Sequence, residues 1–380
     1  GRTYPRDGVQ TSPVVSGKNI AYVDDSTSGS SIRMLEINTW KDELVAQGPG
    51  QIKPSIDKKL VWLNSLTSKP RYQPLASGET SIICKAPGDQ SHPSVGGDDI
   101  IGHYVAWMDN RTGKPDVYVY SLGQELELPL AVGPNYNMYP DISGEVVAWM
   151  AQVPDPRNPD KGGWAIRTFD IAAVNHTELV SALNSPSPPS ISDQYLAWAD
   201  TFSTFGWSVY KKLLFGMEAR EAIQPGGINP RAGKNIVVFQ QKDKTSGNWN
   251  VMLWKGQQKT QLTQGAGDHI SPSTDGSTVV WQDNRNGNWD IYAYDLNTSK
   301  ETRITKGSAD HVMPDVENGI IVWQDKRNGN WDIYAYDLST KQEKVISKAA
   351  GDQTEPRIRT GRIVWTDNRS GDKDIYMYEN

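Results

Sequence analysis

One block of sequence occurs three times in the C-terminal third of the chain. The block Trp281–Leu296 (WQDNRNGNWDIYAYDL) recurs almost unchanged at Trp323–Leu338 and more loosely at Trp365–Tyr378, so the period is 42 residues. A repeat of this length is typical of a structural unit that stacks against copies of itself to bury its apolar faces. The chain is therefore predicted to be an array of similar units.

A weaker form of the repeat extends over the whole chain. A proline opens each unit, and an aromatic residue follows nine positions later in seven units and eight positions later in one. The remaining unit carries an insertion around Gly97–Gly102. Nine occurrences in register predict one domain over residues 1–380. The pairs are Pro13 and Tyr22, Pro54 and Trp62, Pro93 and Trp107, Pro140 and Trp149, Pro189 and Trp198, Pro230 and Phe239, Pro272 and Trp281, Pro314 and Trp323, and Pro356 and Trp365.

Each unit is predicted to contain four short β-strands. Side chains alternate between two faces along Ile320–Gln324 and Asp332–Leu338, which is the periodicity of strands. Asn328-Gly329 between them supplies the positive φ values that a tight hairpin needs. Four-stranded units of about 42 residues are typical of propeller blades. We therefore predict an all-β fold, a single β-propeller of nine four-stranded blades.

The ring also needs a closing strand. The last unit stops at Asn380 without a fourth strand, and Arg2–Tyr4 lies eleven residues before the first opening proline. The fourth-strand segment Arg303–Thr305 likewise begins eleven residues before the next opening proline, Pro314. We therefore predict that residues 1–8 complete the last blade and leave no exposed edge. Because propellers usually have four to eight blades, the alternative is an eight-bladed ring with the divergent segment 54–87 as an insert.

The repeated block resembles the TolB-type, or WD40-like, propeller repeats of many secreted and cell-surface proteins of bacteria and archaea. The match is close in the units that open at Pro272, Pro314 and Pro356, moderate in the unit at Pro93, and only a frame elsewhere. The resemblance implies a propeller with a binding or scaffolding role outside the cytoplasm, and it carries no catalytic site. Fold alone does not fix function.

Composition removes several classes of function. The chain has 39 Lys plus Arg against 45 Asp plus Glu, a net charge of −6, which argues against a nucleic-acid partner. Cys84 is the one cysteine, so a disulfide framework and a thiolate zinc site are excluded. Apolar runs are only a few residues long, as at Ile320–Trp323, so no membrane insertion is expected. Hydrolase elbow, zinc-helix and phosphate-loop motifs are absent.

Four units combine an aspartate four residues before the opening proline with an arginine in the hairpin between the second and third strands. Strand direction alternates, so the loop that leads into a blade and this hairpin emerge on the same face. We predict same-unit ion pairs that fix the loops, with no metal site, because the arginine charge opposes a bound cation. The pairs are Asp89 with Arg111, Asp268 with Arg285, Asp310 with Arg327, and Asp352 with Arg369.

A second set of residues on that face could contact a ligand. His269 and His311 lie in adjacent leading loops, and Gln353 occupies the same position in the next unit. The tryptophans Trp289 and Trp331 stand at the ends of the neighbouring hairpins. These five are the candidate ligand-binding residues, against the alternatives of solvated loop residues and hairpin packing. The aromatic column on the second strands is predicted to be core.

The sequence favours a non-enzymatic, extracytoplasmic propeller that presents a rigid face to a cell-surface polysaccharide or protein. A carboxylate held by arginine has a lowered pKa and is a poor general acid, so no catalytic residue and no cofactor is predicted. The first alternative is a metal-dependent, polysaccharide lyase-like enzyme, in which His269 and His311 would hold a divalent cation. The second is a structural surface-layer component.

Overall fold

The structure is a computed structural model that describes residues 9–16, 19–26, 29–36, 41–47, 51–56, 59–64, 69–74, 80–98, 102–155, 158–203, 206–215 and 218–379. These residues form strands, turns and loops, and no helix among them could cross a membrane. The chain divides into two compact units. The smaller contains residues 1–79 and 379–380, and the larger contains Thr80–Tyr378.

Two antiparallel sheets make up the described part of the smaller unit. One has four strands in the order β1-β2-β3-β4, and the other has three in the order β5-β6-β7. They correspond to the first two sequence units, and β5 packs against β1, β2 and β3. The strands are β1 (Val9–Ser16), β2 (Asn19–Ser26), β3 (Gly29–Glu36), β4 (Lys41–Gln47), β5 (Gln51–Ile56), β6 (Lys59–Asn64) and β7 (Lys69–Pro74).

The larger unit is a β-propeller of seven four-stranded antiparallel blades. The first strand of each blade contacts the first strand of the next, and β33 contacts β9, so the blades close into a ring. The closing strand is β8 (Thr80–Cys84). Blades 1 to 3 contain β9 (Gln90–Asp98), β10 (Gly102–Asp109), β11 (Asp116–Ser121) and β12 (Leu126–Ala131); β13 (Asn137–Ser143), β14 (Val146–Asp155), β15 (Asn158–Asp170) and β16 (Asn175–Leu183); and β17 (Ser190–Ile191), β18 (Tyr195–Ser203), β19 (Gly206–Leu213) and β20 (Glu221–Pro225).

The remaining blades follow the same order. Blade 4 contains β21 (Gly227–Gly233), β22 (Ile236–Lys242), β23 (Trp249–Lys255) and β24 (Gln258–Gln261), and blade 5 contains β25 (His269–Thr274), β26 (Thr278–Asp283), β27 (Asp290–Asp295) and β28 (Lys300–Arg303). Blade 6 contains β29 (His311–Glu317), β30 (Ile320–Asp325), β31 (Asp332–Asp337) and β32 (Gln342–Ser347), and blade 7 contains β33 (Gln353–Arg359), β34 (Arg362–Asp367), β35 (Asp374–Glu379) and β8.

The predicted all-β propeller class is confirmed, whereas nine blades, and the alternative of eight, are wrong. Closure uses a different strand from the one predicted. β8 pairs with β35, with Cys84 opposite Ile375. Arg2–Tyr4 and the rest of residues 1–8, to which this position was assigned, lie outside the described residues. In the sequence, β8 stands where the fourth strand of the second unit is expected. Because β8 pairs with β35 instead, the sheet β5-β6-β7 has three strands.

Seven of the nine second-strand aromatic residues predicted to be core lie between the blades of the ring, and the side chains of the other two, Tyr22 and Trp62, lie outside the described part of the chain. Trp323 of blade 6 packs with Val280 and Ile291 of blade 5, and its ring stacks on Tyr334 of the next strand. Within the ring, every member of this column is at most 1% exposed, which makes it part of the scaffold and not a binding surface. The members are Trp107, Trp149, Trp198, Phe239, Trp281, Trp323 and Trp365.

Candidate ligand-binding site in the central channel

The innermost strand of a blade is interrupted at the opening proline. In β25, Ile270 pairs with Gln282 and Ser273 pairs with Val280, so Ser271 and Pro272 together face a single residue. This is a β-bulge, where the missing N–H of proline removes no regular ladder hydrogen bond. In six blades the residue before the proline has a φ between +48° and +58°, as the left-handed bulge requires. They are His92, Tyr139, Asn229, Ser271, Met313 and Glu355, and Pro188 takes the position in blade 3.

These bulges surround a cavity of about 310 Å³, called the channel cavity below. Every blade of the ring contributes to its wall. Its volume is at the small end of the range for ligand pockets, which is about 300–1,000 Å³. The opening prolines provide much of the apolar lining, and the residues before and after them provide the polar groups. The lining prolines are Pro93, Pro140, Pro189, Pro230, Pro272, Pro314 and Pro356, together with Pro188.

Glu355 and His92 connect blade 7 to blade 1 across the wall of the cavity. The backbone N–H of His92 donates to Glu355 Oε2 at 2.7 Å, and Thr366 Oγ1 donates to the same oxygen at 2.9 Å. His92 Nε2 lies 3.4 Å from Glu355 Oε1. Burial lowers the pKa of His92 and outweighs the opposing effect of Glu355. The imidazole also meets Tyr139 edge to face, with ring centroids 4.8 Å apart.

Ser91 gives this pair the superficial form of a catalytic triad. Its Oγ lies 3.1 Å from His92 Nδ1, opposite the side of the ring that faces Glu355. A nucleophile must be reachable by its substrate. Ser91 is only 7% exposed and pairs with Met108 inside blade 1, so its hydroxyl orients the imidazole and cannot attack a ligand in the cavity.

The residues that follow the prolines link neighbouring blades. Ser94 Oγ donates to Asp141 Oδ1 at 2.8 Å, and the backbone N–H of Ile191 donates to Asp141 Oδ2 at 3.0 Å. One carboxylate therefore ties blades 1, 2 and 3 together. Ser273 and Asp315 repeat the arrangement in blades 5 and 6, with an Oγ–Oδ1 distance of 2.5 Å. These contacts hold the wall of the channel cavity in a fixed shape.

Two arginines occupy the same position after the proline in blades 4 and 7. Arg231 and Arg357 are half-buried and line the channel cavity. Neither guanidinium forms a hydrogen bond or ion pair with any residue that the structure describes. Two arginines therefore line the cavity, and the N–H donors of their guanidinium groups have no acceptor among the described residues.

The predicted ligand contacts His269, His311 and Gln353 lie elsewhere. Each stands three residues before the opening proline and is at most 1% exposed, and none lines the channel cavity. His269 Nδ1 bonds the backbone oxygen of Trp249 at 3.0 Å, and His311 Nδ1 bonds that of Trp289 at 3.2 Å. Gln353 donates to carbonyl groups of its own leading loop. The two histidines therefore hold a leading loop against the preceding blade, and Gln353 holds its own leading loop in shape.

The hairpin tryptophans are also outside the cavity. Trp289 and Trp331 are half-buried, and Lys326 Nζ lies 4.7 Å from the centroid of a Trp331 ring. Among the described residues, no group of three or more His, Cys, Asp or Glu side chains is placed to hold a metal ion.

The four hairpin arginines are paired differently from the prediction. Arg327 Nη2 lies 2.6 Å from Asp325 Oδ2, and its Nη1 lies 2.7 Å from Glu343 Oε1. Its predicted partner Asp310 accepts the backbone N–H of Trp289, in the preceding blade, at 3.0 Å. The other three arginines follow the same rule: Arg111 binds Asp109, Arg285 binds Asp283, and Arg369 binds Asp367. Their predicted partners accept backbone N–H groups instead: Asp89 from Lys373, Asp268 from Trp249, and Asp352 from Trp331.

Burial explains this choice of partner. Asp325 is inaccessible to solvent, and it accepts the indole N–H of Trp323 at 2.9 Å and the backbone N–H of Arg327 at 3.0 Å. A buried carboxylate must be neutralised at short range. Burial alone would raise the pKa of Asp325, but the hydrogen bonds from Arg327 and Trp323 outweigh it and hold that pKa below its usual range. The guanidinium also covers the ring of Tyr334, 4.3 Å from its centroid.

The sequence contained a signal for the channel residues that the prediction did not use. The prolines served only to mark the repeat, although the residue before each proline changes from blade to blade. In blades 5, 6 and 7, where the repeated block is nearly constant, this residue is Ser271, Met313 or Glu355. The first strands of these blades differ at several positions around the constant proline, and the residue before the proline is one of those that line the cavity.

Comparison with known proteins identifies the fold and no family. No protein-family model and no curated protein matches the chain. The chain is similar to tricorn protease, with a TM-score of 0.56 and 11% identity over 97% of this chain and 42% of that one. It is also similar to the β-propeller domain of the Trilobed protease from Pyrococcus furiosus, with a TM-score of 0.52 and 12% identity over 89% of this chain and 97% of that one.

A match to a putative TolB from Agrobacterium tumefaciens has 18% identity and a TM-score of only 0.42. It covers 52% of this chain and 76% of that one. The Pyrococcus furiosus propeller has an open velcro topology, whereas β8 closes the ring here. The chain spans less than half of tricorn protease. At these identities the likenesses show the fold alone: the chain is a β-propeller whose structural neighbours include peptidase propellers and a TolB-like protein.

Proposed function

We propose that the protein is a non-enzymatic binding propeller that takes its ligand into the channel cavity. One observation carries the proposal. Blades 5 to 7 share the repeated block in their second and third strands, yet the residue that each presents at the bulge of its first strand is serine, methionine or glutamate. A purely structural channel gives duplicated blades no reason to differ at this position. A ligand without sevenfold symmetry requires such differences.

The chemistry of the cavity supports binding over catalysis. Its wall combines apolar prolines with a few polar side chains, which is the usual composition of a ligand pocket. Catalysis needs an accessible nucleophile or an acid and base within reach of one substrate. The imidazole of His92 is occupied by Glu355 and Ser91, and Ser91 is buried. Asn229 and Tyr139 add groups that can orient a ligand.

The proposed place of action is outside the cytoplasm, with a cell-surface protein or polysaccharide as the partner. The resemblance of the repeated block to TolB-type repeats supports this location. Two structural neighbours are described as a protease and the propeller domain of a protease. We therefore propose a polypeptide as the first class of ligand to test.

A matched pair of substitutions tests the site. Ser271→Trp fills the channel cavity, whereas Ser299→Trp places the same side chain on an exposed turn with nearly the same φ, +56° against +53°. The wild type and both variants are screened against immobilised peptide and polysaccharide panels. Binding that is lost in Ser271→Trp and retained in Ser299→Trp supports the proposal. Equal binding by all three proteins refutes the channel as the site.

The enzymatic alternative is tested in the same panels. Each bound polymer is incubated with the wild type and with added divalent cations, and chain length is followed by mass spectrometry. Unchanged polymers agree with a binding protein. Cleavage that disappears in Ser271→Trp would show that the cavity is catalytic and would overturn the non-enzymatic proposal.

A further inference from the structure

We propose that the channel cavity recognises the carboxylate groups of an acidic peptide through Arg231 and Arg357, an inference that rests on the proposed function and names its ligand class. Both arginines follow an opening proline, one in β21 and the other in β33, and both line the cavity. A guanidinium has five N–H donors and no acceptor. In these two residues, no described protein group receives those donors.

This state is exceptional for arginine in this structure. Arg327 binds Asp325 and Glu343, and the other three hairpin arginines also bind carboxylates. Arg359, two residues after Arg357 on the same strand, reaches Asp315 at 3.4 Å. The other arginines whose side chains the structure describes bind a carboxylate, a carbonyl or an aromatic ring or have another interaction, whereas Arg231 and Arg357 have no hydrogen bond, ion pair or ring contact with a described residue. A ligand can supply the missing acceptors without breaking an existing contact.

The acidic residues of the cavity do not compete for these arginines. Asp141 accepts hydrogen bonds from Ser94 and from the backbone of Ile191, which link three blades. Glu355 accepts from the backbone of His92 and from Thr366. Neither carboxylate forms an ion pair with an arginine of the cavity. Both acids are therefore fixed in the wall, while both guanidinium groups are available to a bound carboxylate.

The rest of the wall favours a peptide over a sugar acid. Each of the seven blades contributes a proline to the wall, and Met313 adds further apolar surface. This surface suits the methylene groups of a glutamate chain, whereas the hydroxyl groups of a sugar would lack partners against it. Arginine pairs with a planar carboxylate through two parallel hydrogen bonds, which gives direction as well as charge.

Fluorescently labelled hexaglutamate is the probe, with labelled hexaglutamine as its uncharged counterpart, and binding is read by fluorescence anisotropy. We expect the wild type to bind hexaglutamate and not hexaglutamine. The double variant R231Q/R357Q should bind at least about tenfold more weakly, since hydrogen bonds to charged groups are lost. The control K255Q/K300Q removes the same charge at two exposed sites and should bind like the wild type.

Each other outcome decides against the inference. An equal loss in K255Q/K300Q would show that net charge attracts the probe. Binding of oligogalacturonate but not hexaglutamate would replace the peptide by a sugar acid. If Ser271→Trp abolishes hexaglutamate binding and R231Q/R357Q does not, the channel remains the site and the arginines are not its recognition groups. No hexaglutamate binding by the wild type also refutes the inference.

Thermal melts compare the folding of each variant. If R231Q/R357Q does not fold, the single variants R231Q and R357Q are measured separately. R231K/R357K keeps both charges but loses the paired donors, and it should bind with intermediate affinity. Full wild-type affinity in R231K/R357K would show that charge, and not paired hydrogen bonding, holds the carboxylates, and would refute the stated geometry.

Discussion

Replacing Asp325 by asparagine should destabilise the propeller far more than replacing its neighbour Glu343 by glutamine. Both carboxylates bind Arg327 at nearly equal distances, 2.6 and 2.7 Å. Asp325 is inaccessible and also accepts N–H groups from Trp323 and from the backbone of Arg327. Glu343 has a side chain that is 37% exposed. The pair of variants therefore compares a buried partner with an exposed partner of one arginine.

The magnitudes follow from burial. Removing one partner of a buried ion pair costs about 3–5 kcal/mol. Arg327 is partly exposed and keeps Glu343, so we expect Asp325→Asn to lie near the lower end, at about 3 kcal/mol. An exposed pair contributes about 0–1 kcal/mol, and Glu343→Gln should stay in that range.

Urea denaturation followed by tryptophan fluorescence measures both losses. The pKa of Asp325 is lower in the folded state than in the unfolded state. The ionised carboxylate therefore stabilises the fold fully above the pKa of the unfolded state, and this stabilisation is lost as the pH falls through the pKa of the folded state. The stabilities of the wild type and Asp325→Asn should therefore converge in acid. Equal losses in the two variants at neutral pH, or a difference that does not change in acid, would refute the reasoning.

Three further predictions concern the ring. A chain that begins at Thr80 should elute without aggregates in size-exclusion chromatography, whereas one that begins at residue 86 lacks β8, exposes the edge of β35 and should aggregate. Burial raises the pKa of the Cys84 thiol to about 12; a colorimetric thiol reagent at pH 8 should therefore react much more slowly with the folded protein than in urea. Asp315→Ala removes the acceptor for Ser273 and for the backbone of Ile358, so urea denaturation should show a loss of about 2–4 kcal/mol.

The propeller class could be predicted because its cause lies within one unit. The 42-residue period, the alternating strands and the hairpin glycines all act locally. The number of blades depends on which sheet receives each fourth strand. Thr80–Cys84 stands where a fourth strand of the second unit is expected, yet it pairs with β35 at the other end of the larger unit. No local pattern distinguishes these two partners.

The candidate site was less predictable for a related reason. Asp310 and Arg327 lie on the same face of the ring, as expected, but Asp310 accepts a hydrogen bond from Trp289 of the preceding blade. The predicted ion pairs considered only residues of the same unit, so this partner was not included. Asp325, two residues before the arginine, was visible in the same hairpin. Its burial, which determines the pairing, depends on the packed sheet. The channel cavity also forms only when seven bulges meet.

Closure by β8 also sets the order in which the ring can be completed during synthesis. Cys84 and its partner Ile375 are 291 positions apart. Closing a loop of that length costs about 5 kcal/mol of chain entropy, while every other strand pairing of the ring is made within one blade. Val95 and Trp107 of blade 1 meet Val364 and Ile375 of blade 7 only when the ends join. During synthesis, both apolar surfaces therefore stay exposed until the last blade has emerged from the ribosome. In this interval the nascent chain is most prone to aggregation or domain swapping with another copy.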